Sequence, residues 1–217
     1  MKNFIKYFKI CLILFCLLLM YIIFYAQSYS YAISSNLSNA VFRLHVLANS
    51  DSYEDQQLKL KVRDALLSYM NNLCSNCNTK EEAMEIANIH KNEFQKIAEN
   101  VVKENGYNYP IEIKINNFYF PTKSYGDISL PAGYYDALRV EIGEAKGKNW
   151  WCVMFPSLCF IDISSGVVSS DGKENLEKNL DSESYELISE NKTSTEFKLK
   201  FKLLEMFSQS GLFTAKN

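Results

Sequence analysis

The spacing of apolar residues predicts a strand followed by a long helix in the first part of the chain. Residues 41–47 alternate apolar and polar side chains, as a half-buried strand does, and place Arg43 and His45 on the polar face. The short polar side chains of residues 48–52 can cap a helix, and acids follow in its predicted first turn. Over residues 53–73 the apolar side chains recur at helical spacing, which predicts a long amphipathic helix.

A second long helix is predicted from the capping box at residues 79–82 to Gly106. The polar stretch 164–191 indicates a solvated loop with a short helical piece, and the pattern beyond residue 197 fits either a strand or a helix. Together with the strands below, these elements predict an α+β fold. We expect a single domain in which two long amphipathic helices pack on a mainly antiparallel sheet.

Three further strands follow the second predicted helix. The first starts at Pro110 and runs to Phe120, and its alternation slips at Asn116 and Asn117, which predicts a β-bulge. Residues 138–142 alternate in the same way, and the apolar residues 150–155 follow as a further strand. Because a short loop joins them, we expect these last two strands to pair directly as an antiparallel hairpin.

The N-terminus has the layout of an export signal. Lysines at positions 2, 6 and 9 precede an unbroken apolar run over residues 10–25. The run is shorter than the roughly 20 apolar residues that span a bilayer, which favours cleavage after Ala32, whereas the tyrosines at its boundary favour a retained anchor. We therefore predict a signal peptide or signal anchor over residues 1–32 and an extracytoplasmic domain over residues 33–217.

The charge of the chain limits the kinds of partner that can be expected. The formal net charge is −2, and removal of the leader would take away three lysines and no acid. No basic patch is left to attract phosphates, so no nucleic-acid partner is expected. The sequence also gives no reason to expect a cofactor or a bound metal.

Four of the six cysteines lie outside the leader and can form disulfides in an exported domain. A hairpin turning at Pro156 would place Cys152 opposite Cys159, at a separation that a disulfide tolerates. Proline at that turn position requires a cis bond, and a wider turn is the alternative. For Cys74 and Cys77, structural thiols or a disulfide are favoured over a metal site.

Candidate chemistry is sparse, because common hydrolase, zinc-protease and nucleotide-binding motifs are absent from the sequence. His45 could serve as a base for Cys152, which would make the protein an exported cysteine hydrolase, although a histidine on the polar face of a strand is the simpler interpretation. The neighbours Trp150 and Trp151 must point to opposite sides of a strand. One of them can therefore be exposed for a protein contact, unless the fold buries both rings.

Two long strings of residues carry a resemblance to a known family. The first is Phe42-Arg43-Leu44-His45-Val46-Leu47-Ala48-Asn49-Ser50-Asp51-Ser52, which continues to Asp64, and the second joins residues 130–139 to residues 147–160. Both strings resemble signatures of stage II sporulation protein R of endospore-forming bacteria. With the leader and the C-terminal tail, the resemblance covers essentially the whole chain.

The resemblance implies a signalling protein without catalytic residues. Such a protein is made in the forespore and exported into the space between the forespore and mother-cell membranes. There it activates a membrane-bound aspartic protease that processes pro-sigma-E. A structural protein of the spore envelope is a further alternative. We expect the protease to contact a surface that joins the strand-to-helix turn to the tryptophan strand, formed by Arg43, His45, Asn49, Asp51, Asp55, Trp150 and Trp151.

Overall fold

The computed structural model of the chain describes residues 2–158, 170–189 and 202. It confirms the α+β class, and the C-terminal segment that fitted either a strand or a helix lies outside the described residues apart from position 202. The elements in chain order are α1 (Lys2–Ala40), β1 (Phe42–Leu47), α2 (Tyr53–Leu73), α3 (Lys80–Ile89), α4 (Lys91–Glu104), β2 (Ile111–Phe120), β3 (Lys123–Tyr125), β4 (Ile128–Leu130), β5 (Gly133–Ile142), β6 (Asn149–Phe155), α5 (Ser170–Asn179) and α6 (Ser182–Ser189).

The main sheet is mixed and has the strand order β2-β5-β1-β6. β1 runs parallel to β5, whereas the β1–β6 and β2–β5 pairs are antiparallel. The predicted hairpin between β5 and β6 is therefore wrong, since β1 lies between these two strands. The loop that joins β5 to β6 must pass over the end of β1, and this crossing shapes the candidate site.

Apolar side chains cover both faces of this sheet. Helices α2, α3 and α4 pack on one face, and the C-terminal part of α1, the β3–β4 pair and α6 pack on the other. The predicted bulge in β2 is wrong, because its register with β5 is continuous from Ile111 to Phe120. The alternation slips for a different reason: Ile113 points into the core beneath the helices, whereas Phe118 and Phe120 point into the core on the opposite face.

Helix α2 has the predicted bounds and begins at the predicted polar turn, where the Ser52 side chain accepts the Asp55 backbone amide. The capping box is also confirmed, since Thr79 accepts the Glu82 amide at 3.2 Å. The second long helix is in fact two shorter helices, α3 and α4, which meet at His90. The His90 ring contacts the Tyr69 hydroxyl of α2 through Nδ1 at 3.0 Å. This contact holds the α3–α4 junction against α2.

Helix α1 is long and apolar enough to cross a membrane, and its apolar part is exposed. The helix does not end at the predicted leader boundary, residue 32, but continues to Ala40. Its last turns pack into the core through Ile33, Leu37 and Ala40. The predicted boundary between leader and domain thus falls within one unbroken helix.

Cys74 and Cys77 form a disulfide with a Cα–Cα distance of 4.9 Å, in agreement with the interpretation favoured from the sequence. Cys152 is also disulfide-bonded. Cys159 lies outside the described residues, so the pairing of Cys152 with Cys159 stays a prediction. The Phe155–Pro156 bond is cis. Most of the described part of the predicted polar loop 164–191 is helical, in α5 and α6.

Candidate functional site

The turn after β1 and the loop between β5 and β6 are joined by backbone hydrogen bonds. Gly147 donates its amide to the Ala48 carbonyl at 2.9 Å, and Lys146 donates to the Asn49 carbonyl at 3.2 Å. The loop takes this position because it must cross the end of β1 to reach β6. Two segments about a hundred residues apart in the sequence therefore form one structure, which we call the crossing, comprising residues 48–52 and 143–149.

Polar side chains of the turn add further bonds to the crossing. The Asn49 Oδ1 atom accepts the Glu144 amide at 3.0 Å, and the Asp51 Oδ1 atom accepts the Lys148 amide at 2.6 Å. Lys59, a buried residue of α2, donates to the Lys148 carbonyl at 2.9 Å. Burial lowers the pKa of the Lys59 amine. These bonds hold the loop against α2 as well as against the turn that follows β1.

Two glycines allow the loop to come this close to the turn. A Cβ atom on Gly147 would collide with the Ser50 carbonyl oxygen, and one on Gly143 would collide with the Asn49 side chain. Gly143 also has a φ of +60°, a conformation that favours glycine. The glycines in this loop therefore serve close packing of backbone segments.

Asp55 organises the turn from the start of α2. Its buried carboxylate accepts hydrogen bonds from Asn49 Nδ2 at 2.8 Å and from Ser50 Oγ at 2.5 Å. Burial by itself raises the pKa of the Asp55 carboxyl, but hydrogen bonds from Ser50, Asn49 and Tyr109 outweigh it, so the pKa lies below its usual value. Asp55 thus fixes the shape of the turn and has little surface to offer a partner.

His45 lies inside the fold on the face opposite helices α2–α4. Its ring stacks on Trp151, with 3.7 Å between centroids, and its Nε2 atom contacts the Asn149 side-chain oxygen at 2.9 Å. Burial, with smaller contributions from Arg139 and Arg43, lowers the pKa of His45 to about 4, against the hydrogen bond to Asn149, which raises it. The ring is therefore neutral at physiological pH.

The structure rules out the alternative that pairs Cys152 with His45 in a cysteine hydrolase. The β1–β6 register places Cys152 opposite Leu44, on the sheet face that α2–α4 cover. His45 is one residue further along β1 and points to the other face. Cys152 is in addition disulfide-bonded and carries no free thiolate. A nucleophile and its base cannot act through a sheet.

Arg43 is fully buried beside aromatic rings. Its guanidinium lies 4.1 Å from the Phe120 ring centroid and 4.7 Å from that of Tyr135, and Nη2 donates to the Tyr125 hydroxyl at 2.7 Å. Among the described residues, Nε and Nη1 have no hydrogen-bond partner and no carboxylate pairs with the charge. Arg43 therefore supports the core by cation–π contacts and is not displayed to a partner.

The two tryptophans point to opposite faces, as predicted, and both are half-buried. Trp150 packs towards α2, where the Arg63 guanidinium covers its ring at 4.2 Å. Trp151 packs on His45 on the other face. Neither residue is freely exposed, yet both retain some solvent access.

The predicted contact residues thus divide into two groups. Arg43, His45 and Asp55 are buried and hold the site from within, whereas Asn49, Asp51 and the two tryptophans retain solvent access. Sequence reasoning missed Tyr53, which begins α2 beside Asp51 and is 74% exposed. An apolar side chain in the first turn of a capped helix, off the buried stripe, was the signal that could have identified it.

The comparison with protein families decides what kind of protein this is. The family described as stage II sporulation protein R matches residues 38–165, more than half of the chain. The chain belongs to the stage II sporulation protein R family. Both strings lie within the matched region, and the crossing joins residues 48–52 of the first string to residues 147–149 of the second.

One curated relative supports the assignment. The chain is 39% identical over 130 residues to stage II sporulation protein R of Bacillus subtilis (strain 168). The alignment covers 60% of this chain and 58% of the relative. The chain therefore matches a little over half of that relative's length. No solved structure matches the chain.

Proposed function

We propose that this protein is an exported signal of endospore formation that activates a membrane-bound aspartic protease, which then processes pro-sigma-E in the mother cell. Family membership over residues 38–165 carries the proposal. The apolar helix α1 supports export or attachment to a membrane. In this role the protein acts in the space between the forespore and mother-cell membranes and needs no chemistry of its own.

The crossing is the surface that we assign to the protease. Its backbone is fixed by hydrogen bonds between the turn after β1 and the β5–β6 loop, so its shape is preorganised before a partner arrives. Asn49, Asp51 and Tyr53 line its accessible side, and an exposed tyrosine is a frequent anchor in protein interfaces. We call these three side chains the rim.

Activation requires that the rim bind the active arrangement of the protease more tightly than the inactive one. Without such a difference in affinity, binding would not shift the equilibrium of the protease. A preorganised rim suits this task, since a rigid surface can discriminate between two partner shapes that differ by small displacements.

Co-expression in a non-sporulating host tests the proposal. The full chain is expressed together with the protease and pro-sigma-E, and the ratio of processed to unprocessed sigma factor is measured by immunoblot. We expect processing only when this chain is present. Equal processing with and without the chain would overturn the signalling function and favour a structural role in the spore envelope.

A further inference from the structure

Helix α1 has no point at which a leader would separate from the domain. The first glycine of the sequence is Gly106 and the first proline is Pro110, so no helix-breaking residue interrupts residues 2–40. The side chains from Phe4 to Tyr25 are exposed, and most of them are apolar. They form the segment that can cross a membrane. At 1.5 Å per residue this stretch is about 33 Å long, enough for a hydrocarbon core of about 30 Å.

Two lysines within this stretch fit a membrane-spanning segment. Lys6 and Lys9 lie close to its N-terminal end, where long side chains can extend their amines to the headgroups. The apolar run over residues 10–25 is thereby lengthened by Phe4, Ile5 and Phe8. The span that looked short in the sequence reaches the length of an anchor.

The other end of α1 is built into the domain core. Ser30, Ile33, Leu37 and Ala40 follow one another at helical spacing, and each is at most 3% exposed. Ile33, Leu37 and Ala40 pack with residues of β4, β5 and α6 in the core on the α1 side of the sheet. A cut after Ala32 would leave Ile33, Leu37 and Ala40 in the domain, but it would remove Ser30 and place a new charged amine on the buried Ile33.

Polar contacts fasten the same turns to two other elements. Asn36 donates to the Asp181 carboxylate beside α6 at 2.7 Å. Lys80 at the start of α3 donates to the Ser38 carbonyl at 3.0 Å and pairs with Asp136 of β5 at 2.6 Å. The helix is thus held on more than one side.

The candidate cleavage bond after Ala32 lies near the start of this docked segment, between two of its buried residues. Ser30 on one side and Ile33 on the other are buried, and the intervening backbone is helical. A peptidase that takes its substrate as an extended strand would have to unwind the helix and withdraw both side chains. The distance from Tyr25 to Ser30 is five residues, about 7.5 Å along the helix axis.

We propose that the chain keeps α1 and works as a membrane-anchored domain, with a phospholipid bilayer as its partner and the unbroken helix holding the domain close to the bilayer surface. The anchor and the domain then form one rigid element. Because the helix has no flexible joint, the domain has a fixed height above the membrane and cannot diffuse away. This inference does not depend on the proposed function, and its test does not measure protease processing.

The test follows the fate of the full chain in a bacterial host. Membranes are washed with alkaline carbonate, and the chain is extracted and its mass measured. We expect the intact 25.0 kDa chain in the membrane pellet. A soluble exported chain that begins at Ile33 would overturn the proposal.

A helix-breaking variant isolates the cause of retention. Ser28 is exposed and lies between the span and the docked turns, so Ser28→Pro breaks the helix without touching the core. We expect at least half of this variant to be cleaved and released, while the unchanged chain stays in the membrane. Equal retention of both chains would overturn the claim that helix continuity prevents cleavage.

Cross-linking tests the docking itself. In a chain with Cys11→Ser and Cys16→Ser, the pair Asn36→Cys and Asp181→Cys is introduced where the two side chains now touch. We expect the new disulfide to form in the membrane-bound chain and to be absent when Asn36→Cys is combined with Glu186→Cys. Failure of the first pair to cross-link would show that α1 is not docked.

Discussion

The imidazole of His45 and the indole of Trp151 are stacked, with 3.7 Å between the ring centroids and 15° between the ring planes. They are directly opposed residues of β1 and β6, so the stack joins the first signature string to the second across the strand pair. The Phe120 ring meets the Trp151 ring edge-on at 4.8 Å and closes the aromatic group. The buried stack excludes water from His45 and is the main reason why its pKa is low.

This pKa predicts a loss of stability in mild acid. The pKa of His45 is about 4 in the folded chain and about 6.5 in the unfolded chain, so only the unfolded state takes up the proton between these values. Stability is unaffected above pH 6.5 and falls as the pH drops from 6.5 towards 4. With solvent screening allowed for, the low pKa of His45 should reduce the free energy of unfolding at pH 4 by on the order of 1–2 kcal/mol.

Urea unfolding at pH 7.5, 6 and 4.5 measures the effect. His45→Gln keeps a donor for Asn149 but cannot titrate, so its free energy of unfolding should fall less over this range. His90→Gln changes the other histidine of the chain and serves as the control. If the unchanged chain and His45→Gln lost the same free energy of unfolding in acid, His45 would not be the group responsible.

The glycine at the centre of the crossing predicts a large steric effect. Gly147→Ala places a methyl group against the Ser50 carbonyl, and backbone cannot move aside as a flexible side chain can. We expect a loss of about 2–4 kcal/mol in the free energy of unfolding, measured by urea titration. In Gly133→Ala the new methyl group meets only the Tyr135 side chain at 3.4 Å, so a loss below about 1 kcal/mol is expected. Equal losses would show that the crossing is loosely packed.

The buried charge of Arg43 predicts that two substitutions of this residue differ strongly in their effect on stability. Arg43→Met removes a charge that has no described carboxylate partner and fills similar volume, so stability should change by less than about 1 kcal/mol or rise. Arg43→Ala leaves a cavity and should cost about 3 kcal/mol or more. Thermal unfolding of the two variants compares them. A large loss in both would mean that the cation–π contacts with Phe120 and Tyr135 outweigh desolvation.

Local elements could be predicted from the sequence because their signals are local. The bounds of α2 follow from its polar cap and apolar stripe, and the start of α3 follows from the Thr79 capping box. Both depend on residues within one or two turns. The opposite orientation of Trp150 and Trp151 likewise follows from the geometry of any strand.

Strand order and the burial of the site could not be predicted in this way. A short loop between two strands usually forms a hairpin, and nothing near Gly147 shows that β1 occupies the space between β5 and β6. The alternation around β1 marked Arg43 and His45 as polar-face residues, but that face is covered by α1, β3–β4 and α6. Polar residues on a strand can face a second core.

The proposed role of the rim predicts that a substitution there lowers activity without changing stability. Tyr53 is 74% exposed and is not among the described core residues, so Tyr53→Lys should leave the free energy of unfolding within about 0.5 kcal/mol of its original value. If the rim contacts the protease, the same change should reduce processing of pro-sigma-E in the co-expression assay about tenfold or more, since an interface tyrosine can contribute 1.4 kcal/mol or more.

Tyr134→Lys is the matched control for this prediction. Tyr134 is 48% exposed and belongs to the start of β5, at the end of the sheet opposite the crossing. It contacts Tyr119 edge-on, at 5.5 Å between ring centroids, so the substitution removes a comparable exposed aromatic ring. Processing should be unchanged in this variant. If Tyr134→Lys abolished processing and Tyr53→Lys did not, the protease would bind the other end of the sheet, because the two variants alter the same side-chain chemistry and differ only in position.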